Sequence, residues 1–164
     1  MSLLGLILLG NPGAVMFFSF LFGMMGNTIL RRMSIYERFS DRYLFSGSKP
    51  YERLGVLWYR KILLATPLRF FKPNIRFSTS RNLATLDSVM VHIKTAEVVH
   101  WVGFEAMLVL NFTAWWYVGN EMALAYLSLN VFGNLYPCLL QQYNRRRLTR
   151  VIIAIKVRSE SSAN

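Results

Sequence analysis

The chain holds a single cysteine, Cys138, so no intramolecular disulfide can form. Cys138 follows Pro137 inside an apolar stretch, and no neighbour in sequence supplies the positive charge that lowers a thiol pKa. It therefore reads as a small packed side chain, not a nucleophile. Acidic residues are also few, eight Asp and Glu against nineteen Lys and Arg, for a formal charge of +11. Missing motifs exclude several chemistries: there is no Gly-x-Ser-x-Gly elbow, no glycine-rich phosphate loop with its lysine, and no His-x4-Asp acyltransferase pair. Histidine is limited to His92 and His100. Glu97-x-x-His100 has the spacing of half a bundle di-iron site, but His92 lacks a carboxylate at the matching offset, so no metal is expected. No internal repeat and no low-complexity segment is present.

Positive charge is missing from two long stretches, and that absence organises the rest. All nineteen Lys and Arg lie in two blocks, Arg31 to Lys94 and Arg145 to Arg158. At 164 residues the chain is a single domain by length, yet 54% hydrophobic and 15% aromatic residues are too many for a soluble domain of this charge. The expected fold class is all-α, an integral membrane helical protein of about three transmembrane helices with an amphipathic interfacial segment. Basic residues that flank apolar spans suit anionic headgroups better than nucleic acid, so membrane lipids are the expected partners and nucleic acid is not. The positive-inside rule puts both basic blocks in the cytoplasm of a multi-pass protein.

The first span, about 12–30, carries no charge, is preceded by an interruption at Asn11-Pro12-Gly13, and is stopped by Arg31-Arg32. With no positive n-region and no small-residue cleavage pattern, it reads as a retained anchor with its amino terminus outside, and 1–10 as a flexible or interfacial leader. The second and third spans, about 96–118 and 121–143, are joined by Gly119-Asn120 and must run antiparallel. Trp115, Trp116 and Tyr117 mark an interfacial aromatic belt. Residues 31–94 form a cytoplasmic interfacial region. Within it, Tyr51 to Leu64 interleaves basic and apolar residues, and Leu54, Leu57, Trp58 and Lys61 share a face at helical spacing, as in a helix lying among headgroups. Pro67 ends or kinks that helix, Phe70-Phe71-Lys72-Pro73 continues the surface contact, and Ser78 to Asn82 reads as a loop. Asp87 is placed to start the helix that runs into the second span, and 145–164 is a cytoplasmic tail, polar and disordered from Ser159.

Polar residues concentrate where the second span begins and the third ends. Glu97 and His100 stand one helical turn apart, with Lys94 a turn earlier. Two readings of Glu97 stay open: a carboxylate that pairs with an arginine and holds the hairpin, or a group that orients His100. An imidazole titrating near neutrality suits proton transfer. Glu105 lies deeper, where Asn130 and Asn134 are its expected hydrogen-bonding neighbours, or else a polar group of a substrate. Asn134 to Pro137 should kink the third helix and release backbone carbonyls. Gln142, Tyr143, Asn144, Arg145, Arg146, Arg147 and Arg150 follow. A stop-transfer flank explains the arginines alone; a planar fork that binds phosphate or carboxylate explains them with the polar residues before them.

From about Gly26 to Arg158 the chain resembles the glycosyl-4,4'-diaponeurosporenoate acyltransferase family, assigned to the last step of staphyloxanthin-type carotenoid synthesis. The resemblance rests on Lys94-Thr95-Ala96-Glu97-Val98-Val99-His100-Trp101, against the family's K-x-A-E-x-x-H-W pattern, and on Gln142-Tyr143-Asn144-Arg145-Arg146-Arg147-Leu148-Thr149, against Q-R-Y-N-R-x-R-L. Trp58-Tyr59-Arg60-Lys61 and Asn134 with Pro137 add to it. Gln141-Gln142 stands where the family has Gln-Arg, so Gln142 takes the place of an arginine. The resemblance implies a bacterial plasma-membrane enzyme that transfers a fatty acyl group to a sugar hydroxyl of a glycosylated carotenoid or related glycolipid. It implies no cofactor beyond an acyl donor such as acyl-CoA as co-substrate. His100 is then the expected general base and Glu97 the group that orients it. Arg145 and Arg147 bind an anionic donor or oxyanion, and Asn144, Tyr143, Gln142, Lys94 and Trp101 complete the substrate contacts. A protein this small has little room for two substrates, which points to a homo-oligomer or a membrane partner. The competing reading is a non-enzymatic membrane subunit that binds lipid or another membrane protein.

Overall fold

The computed structural model describes residues 10–33, 35–66, 83–117 and 119–161. The leader before residue 10, Phe70 to Pro73, the loop at Ser78 to Asn82 and the last three residues lie outside that set. The described elements are helices, in the order α1 (Pro12–Arg31), α2 (Ile35–Ser40), α3 (Lys49–Arg53), α4 (Val56–Ala65), α5 (Leu83–Tyr117), α6 (Asn120–Asn130), a π-helical turn (Val131–Leu135) and α7 (Tyr136–Ser161). Three helical segments are long and apolar enough to cross a membrane: α1, α5, and the run Asn120–Ser161. The chain is an all-α integral membrane protein. By contact it divides into two compact units, Met1–Arg42 with Thr95–Cys138, and Tyr43–Lys94 with Leu139–Asn164.

In the first unit α1 begins where the sequence shows an interruption. Pro12 fits the first helical position, which needs no N–H, and the Asn11 side chain caps the free amide of Ala14 at 3.1 Å. Phe17, Phe20, Phe22, Met24, Met25 and Ile29 are exposed, the face that lipid covers. Val15, Ser19, Gly23 and Asn27, four residues apart, form the buried stripe. Small residues dominate because lipid tails are as apolar as leucine, so helices associate by close contact and hydrogen bonding and not by hydrophobic expulsion. A Cβ on Gly23 would collide with the backbone carbonyl of Val99, and one on Gly26 with the Val102 side chain. Toward the Gly119 end, Val15, Met107, Ala114 and Tyr126 form a buried cluster with Met16, Leu110 and Met122 against it. The hairpin turns at Gly119, whose φ of +100° favours glycine. Phe112, Trp115, Trp116 and Tyr117 are exposed at that end, in keeping with an aromatic belt.

In the second unit the expected helix over Tyr51 to Leu64 is two helices. Gly55, at φ +76°, ends α3 and starts α4. Tyr51, Val56 and Tyr59 are buried, and burial pushes the Tyr59 phenol up to about 12, so it stays neutral. Of the expected face, Trp58 and Lys61 are exposed on α4 together with Ile62, whereas Leu57 is half-buried and Leu54 lies before the Gly55 break. Helix α5, expected to start at Asp87 and run into the second span, starts one turn earlier at Leu83; its 35 residues are about 52 Å long, more than a bilayer core. Helix α7 continues through the arginines to Ser161 where a tail was expected. Leu86, Ile93 and Leu148 are buried together, with Val89, Met90, Ile152 and Ile155 packed on them. Apolar residues three and four apart give the α7 extension a stripe to bury, and charged neighbours mask that stripe in a composition-based reading.

Gly23→Ala should cost about 1–3 kcal/mol, because the colliding group is backbone and cannot swing away. Gly133→Ala, which meets only the flexible end of Met16, should cost about 1 kcal/mol or less. Unfolding of both variants in bicelles checks the difference; equal losses would contradict it.

Candidate functional site

The polar side chains of the first unit form one connected set. Ser19 Oγ donates to the carbonyl of Gly103 at 3.1 Å, and Asn134 Nδ2 donates to Ser19 Oγ at 2.9 Å and to Asn130 Oδ1 at 2.9 Å. Asn130 Nδ2 donates to the carbonyl of Phe104 at 3.0 Å. Three helical segments thus meet at Asn134, which is buried. The approach depends on Gly103: a Cβ there would lie 2.9 Å from Asn134 Oδ1 and 3.0 Å from Ser19 Oγ. Asn130 and Asn134 serve this junction and not Glu105, which is exposed and faces a groove between α1 and α5. The expected Glu105 pairing is corrected on that point.

His100 is built onto the same junction. It hydrogen-bonds to the Asn134 side chain and to the backbone of Gly133. The departure from α-helix expected near Pro137 takes the form of the π-helical turn, closed by a bond from the Tyr136 amide to the Val131 carbonyl. Pro137, four residues after Gly133, has no N–H to offer that carbonyl, so the imidazole can take it. Both contacts fix the tautomer. Asn134 already gives its amide hydrogens to Ser19 and Asn130, so it and the Gly133 carbonyl can only accept from His100. Nδ1 is buried and has no hydrogen-bond partner among the described residues, which leaves Nε2 as the donor and the Nδ1 lone pair unused. Glu97, 2% exposed, is buried one turn before His100 on α5. Trp101 is half-buried, its ring edge-on to Phe104 at 5.9 Å. Near the basic end, Arg31 hydrogen-bonds to Thr95 and lies 5.6 Å from the Tyr36 ring centre.

The second unit gathers the other expected residues. Gln142 is buried, and its Oε1 accepts from the Tyr51 hydroxyl at 2.7 Å and from the Leu44 amide at 3.1 Å. Tyr143 is buried and donates to Glu52 Oε1 at 3.4 Å. Arg145, 2% exposed, and Arg146 lie against the Tyr43 ring, 3.9 and 4.0 Å from its centre. Arg146 also donates to the Phe45 carbonyl, and Arg150 to Ser48 Oγ at 3.0 Å. Arg147 is exposed, 6.0 Å from the Tyr143 ring centre, and Asn144 is half-buried, as is Lys94 on α5. Two roles emerge on one helix. Gln142 and Arg146 pin the 43–51 segment, while Arg147 keeps its guanidinium toward the surroundings. Sequence reading missed Tyr43, Tyr51 and Glu52, which no local pattern ties to residues some ninety positions later. It also missed Ser19, which the four-residue stripe with Gly23 and Asn27 does signal.

Residues 32–154 match the glycosyl-4,4'-diaponeurosporenoate acyltransferase family. A curated protein of that name from Staphylococcus aureus is similar to this chain, 24% identical over 135 residues that cover 74% of this chain and 76% of the relative. No solved structure matches.

Gln142→Leu should destabilise the second unit by roughly 1–3 kcal/mol, since it leaves the buried Tyr51 hydroxyl and the Leu44 amide without their acceptor. Chemical unfolding in detergent, read through Tyr51 and Trp58 environments, checks it; unchanged stability would show that these bonds contribute nothing.

Proposed function

The chain belongs to the glycosyl-4,4'-diaponeurosporenoate acyltransferase family, and on that premise we propose that it is a membrane acyltransferase. It moves a fatty acyl group to a sugar hydroxyl of a glycosylated carotenoid or related glycolipid. The family match, which spans both the Lys94 to Trp101 and the Gln142 to Thr149 segments, carries this reading. The held tautomer of His100 supports it, because a base needs a lone pair that no other group uses. In this reading Nδ1 of His100 takes the proton of the sugar hydroxyl as its oxygen attacks the thioester carbonyl of an acyl-CoA. The new C–O bond forms, the C–S bond breaks, and the thiolate leaves with the proton returned by the imidazolium. Glu97 is a positioning residue for His100. Within the second unit, Arg145 and Arg147 are the proposed binders of the anionic groups of the donor, with Tyr143, Asn144 and Lys94 beside them in sequence or on α5 as further substrate contacts; Trp101 is the further substrate contact in the first unit. Gln142 supports the second-unit contacts through its hold on Tyr51. No cofactor takes part. The protein lies in the bacterial plasma membrane with its basic segments cytoplasmic, on the side that supplies acyl-CoA.

A second reading, a non-enzymatic subunit that binds lipid or a membrane partner, draws on one observation: the polar groups around Asn134 bond to one another and tie helices together. Purified chain in bilayers with acyl-CoA and a glycosylated carotenoid separates the two. Wild type should yield the acyl ester and free thiol, and His100→Ala and His100→Gln should lower turnover by about 10²–10⁴-fold, the range for loss of a general base, with insertion intact. Full turnover in either variant eliminates the base role. No ester from wild type, with recovery of a stoichiometric membrane partner, establishes the subunit.

A further inference from the structure

Glu105 sits where a carboxyl group is least expected. On α5 it is eleven residues past Lys94, about 16 Å along the helix at 1.5 Å per residue, which is the middle of a hydrocarbon core of about 30 Å. Of the α1 residues around it, Phe22 stands at the middle of Pro12–Arg31, with Met25 and Gly26 about one turn nearer Arg31. Its side chain is exposed, and it has no hydrogen-bond or ion-pair partner among the described residues. At this depth exposure means lipid, which offers neither donor nor acceptor, and an intramembrane ionisable group left so is costly.

The surroundings of Glu105 have the shape of a contact surface. It lines a groove of about 410 Å³ whose floor is Gly26, Val102 and Ala106 and whose rims are the exposed Phe22, Met25, Ile29 and Val109. Short residues at the floor let another helix approach closely, and a carboxyl at the centre gives that helix a group to bond. An acyl or polyene chain would fill the groove but leave the carboxyl unsatisfied. A sugar or headgroup would have to leave the interface to reach it. The complement that fits chemically is a second carboxyl: a neutral carboxylic acid is at once donor and acceptor, so two of them close a ring of two hydrogen bonds about a two-fold axis.

We propose that the groove between α1 and α5 is the dimer interface of this protein, in which Glu105 of one copy hydrogen-bonds with Glu105 of a second copy at the bilayer midplane. This proposal stands apart from the acyl-transfer reading, since it rests on depth, exposure and self-complementarity and not on the residues assigned to catalysis.

The experiment uses the full chain in liposomes, with the monomer and dimer fractions counted by single-molecule photobleaching over a range of protein-to-lipid ratios. Wild type should dimerise, Glu105→Gln should keep the dimer because an amide also both donates and accepts, and Glu105→Leu should weaken it by roughly tenfold or more, as loss of an interhelical hydrogen-bonded pair does. On a Cys138→Ala background, Val109→Cys should form an intermolecular disulfide under mild oxidation, whereas Leu124→Cys, exposed on α6, should not. A wild type that stays monomeric at every ratio overturns the proposal. So does a dimer equally strong in Glu105→Leu, cross-linking at Leu124→Cys in place of Val109→Cys, or a Glu105-dependent complex formed only with another membrane protein.

Discussion

Asn134 is the constraint on which the first unit depends. Lipid gives apolar helices no reason to leave it for one another, so the three spanning segments must be joined by groups that hydrocarbon cannot satisfy. Asn134 gives both amide hydrogens to such groups, on α1 through Ser19 and one turn back on its own helix through Asn130; those two reach the Gly103 and Phe104 carbonyls of α5. The glycines are the other half of this arrangement. Gly23 and Gly103 let backbones approach until these short side chains can span the gap.

From that junction the chemistry follows in short steps. Pro137 withholds an amide from the turn that carries Gly133, the π-helical turn absorbs the break, and His100 takes a carbonyl that a regular helix would have used internally. Asn134, its hydrogens committed elsewhere, can present only its oxygen. An imidazole between two acceptors must donate from one nitrogen and keep the lone pair of the other. The proton arrangement of His100 is therefore set by bonds whose first effect is to hold helices together. In the second unit a comparable economy operates on α7, where Gln142 and Arg146 fasten the 43–51 segment and Arg147 remains outward.

The membrane class, the three long helices and the hairpin at Gly119 were legible in the distribution of charge, because hydrocarbon excludes Lys and Arg over long windows and a two-residue connector leaves one option. The extension of α7 was not, since it buries a narrow stripe, Leu148 with Ile152 and Ile155, among charged neighbours. Asn11-Pro12 was legible as the start of the first span, because proline interrupts a helix interior but fits its first position. Glu105 was assigned to Asn130 and Asn134 by depth alone. Depth does not choose a face, and five residues on from His100 the helix has turned that carboxyl away from the asparagines. Tyr43 and Tyr51 were invisible as partners of α7 for a simpler reason: contacts with Arg145 and Gln142, about ninety to a hundred residues away, carry no local pattern.

The most direct measurement is the tautomer of His100 in the bilayer-embedded protein, read from its imidazole ¹⁵N chemical shifts, with His92→Gln to leave one histidine signal. A protonated, pyrrole-type Nε2 with a bare, pyridine-type Nδ1, lost when Asn134 is replaced by leucine, is the result required by the junction described above. A proton on Nδ1, or a tautomer indifferent to Asn134, would contradict it.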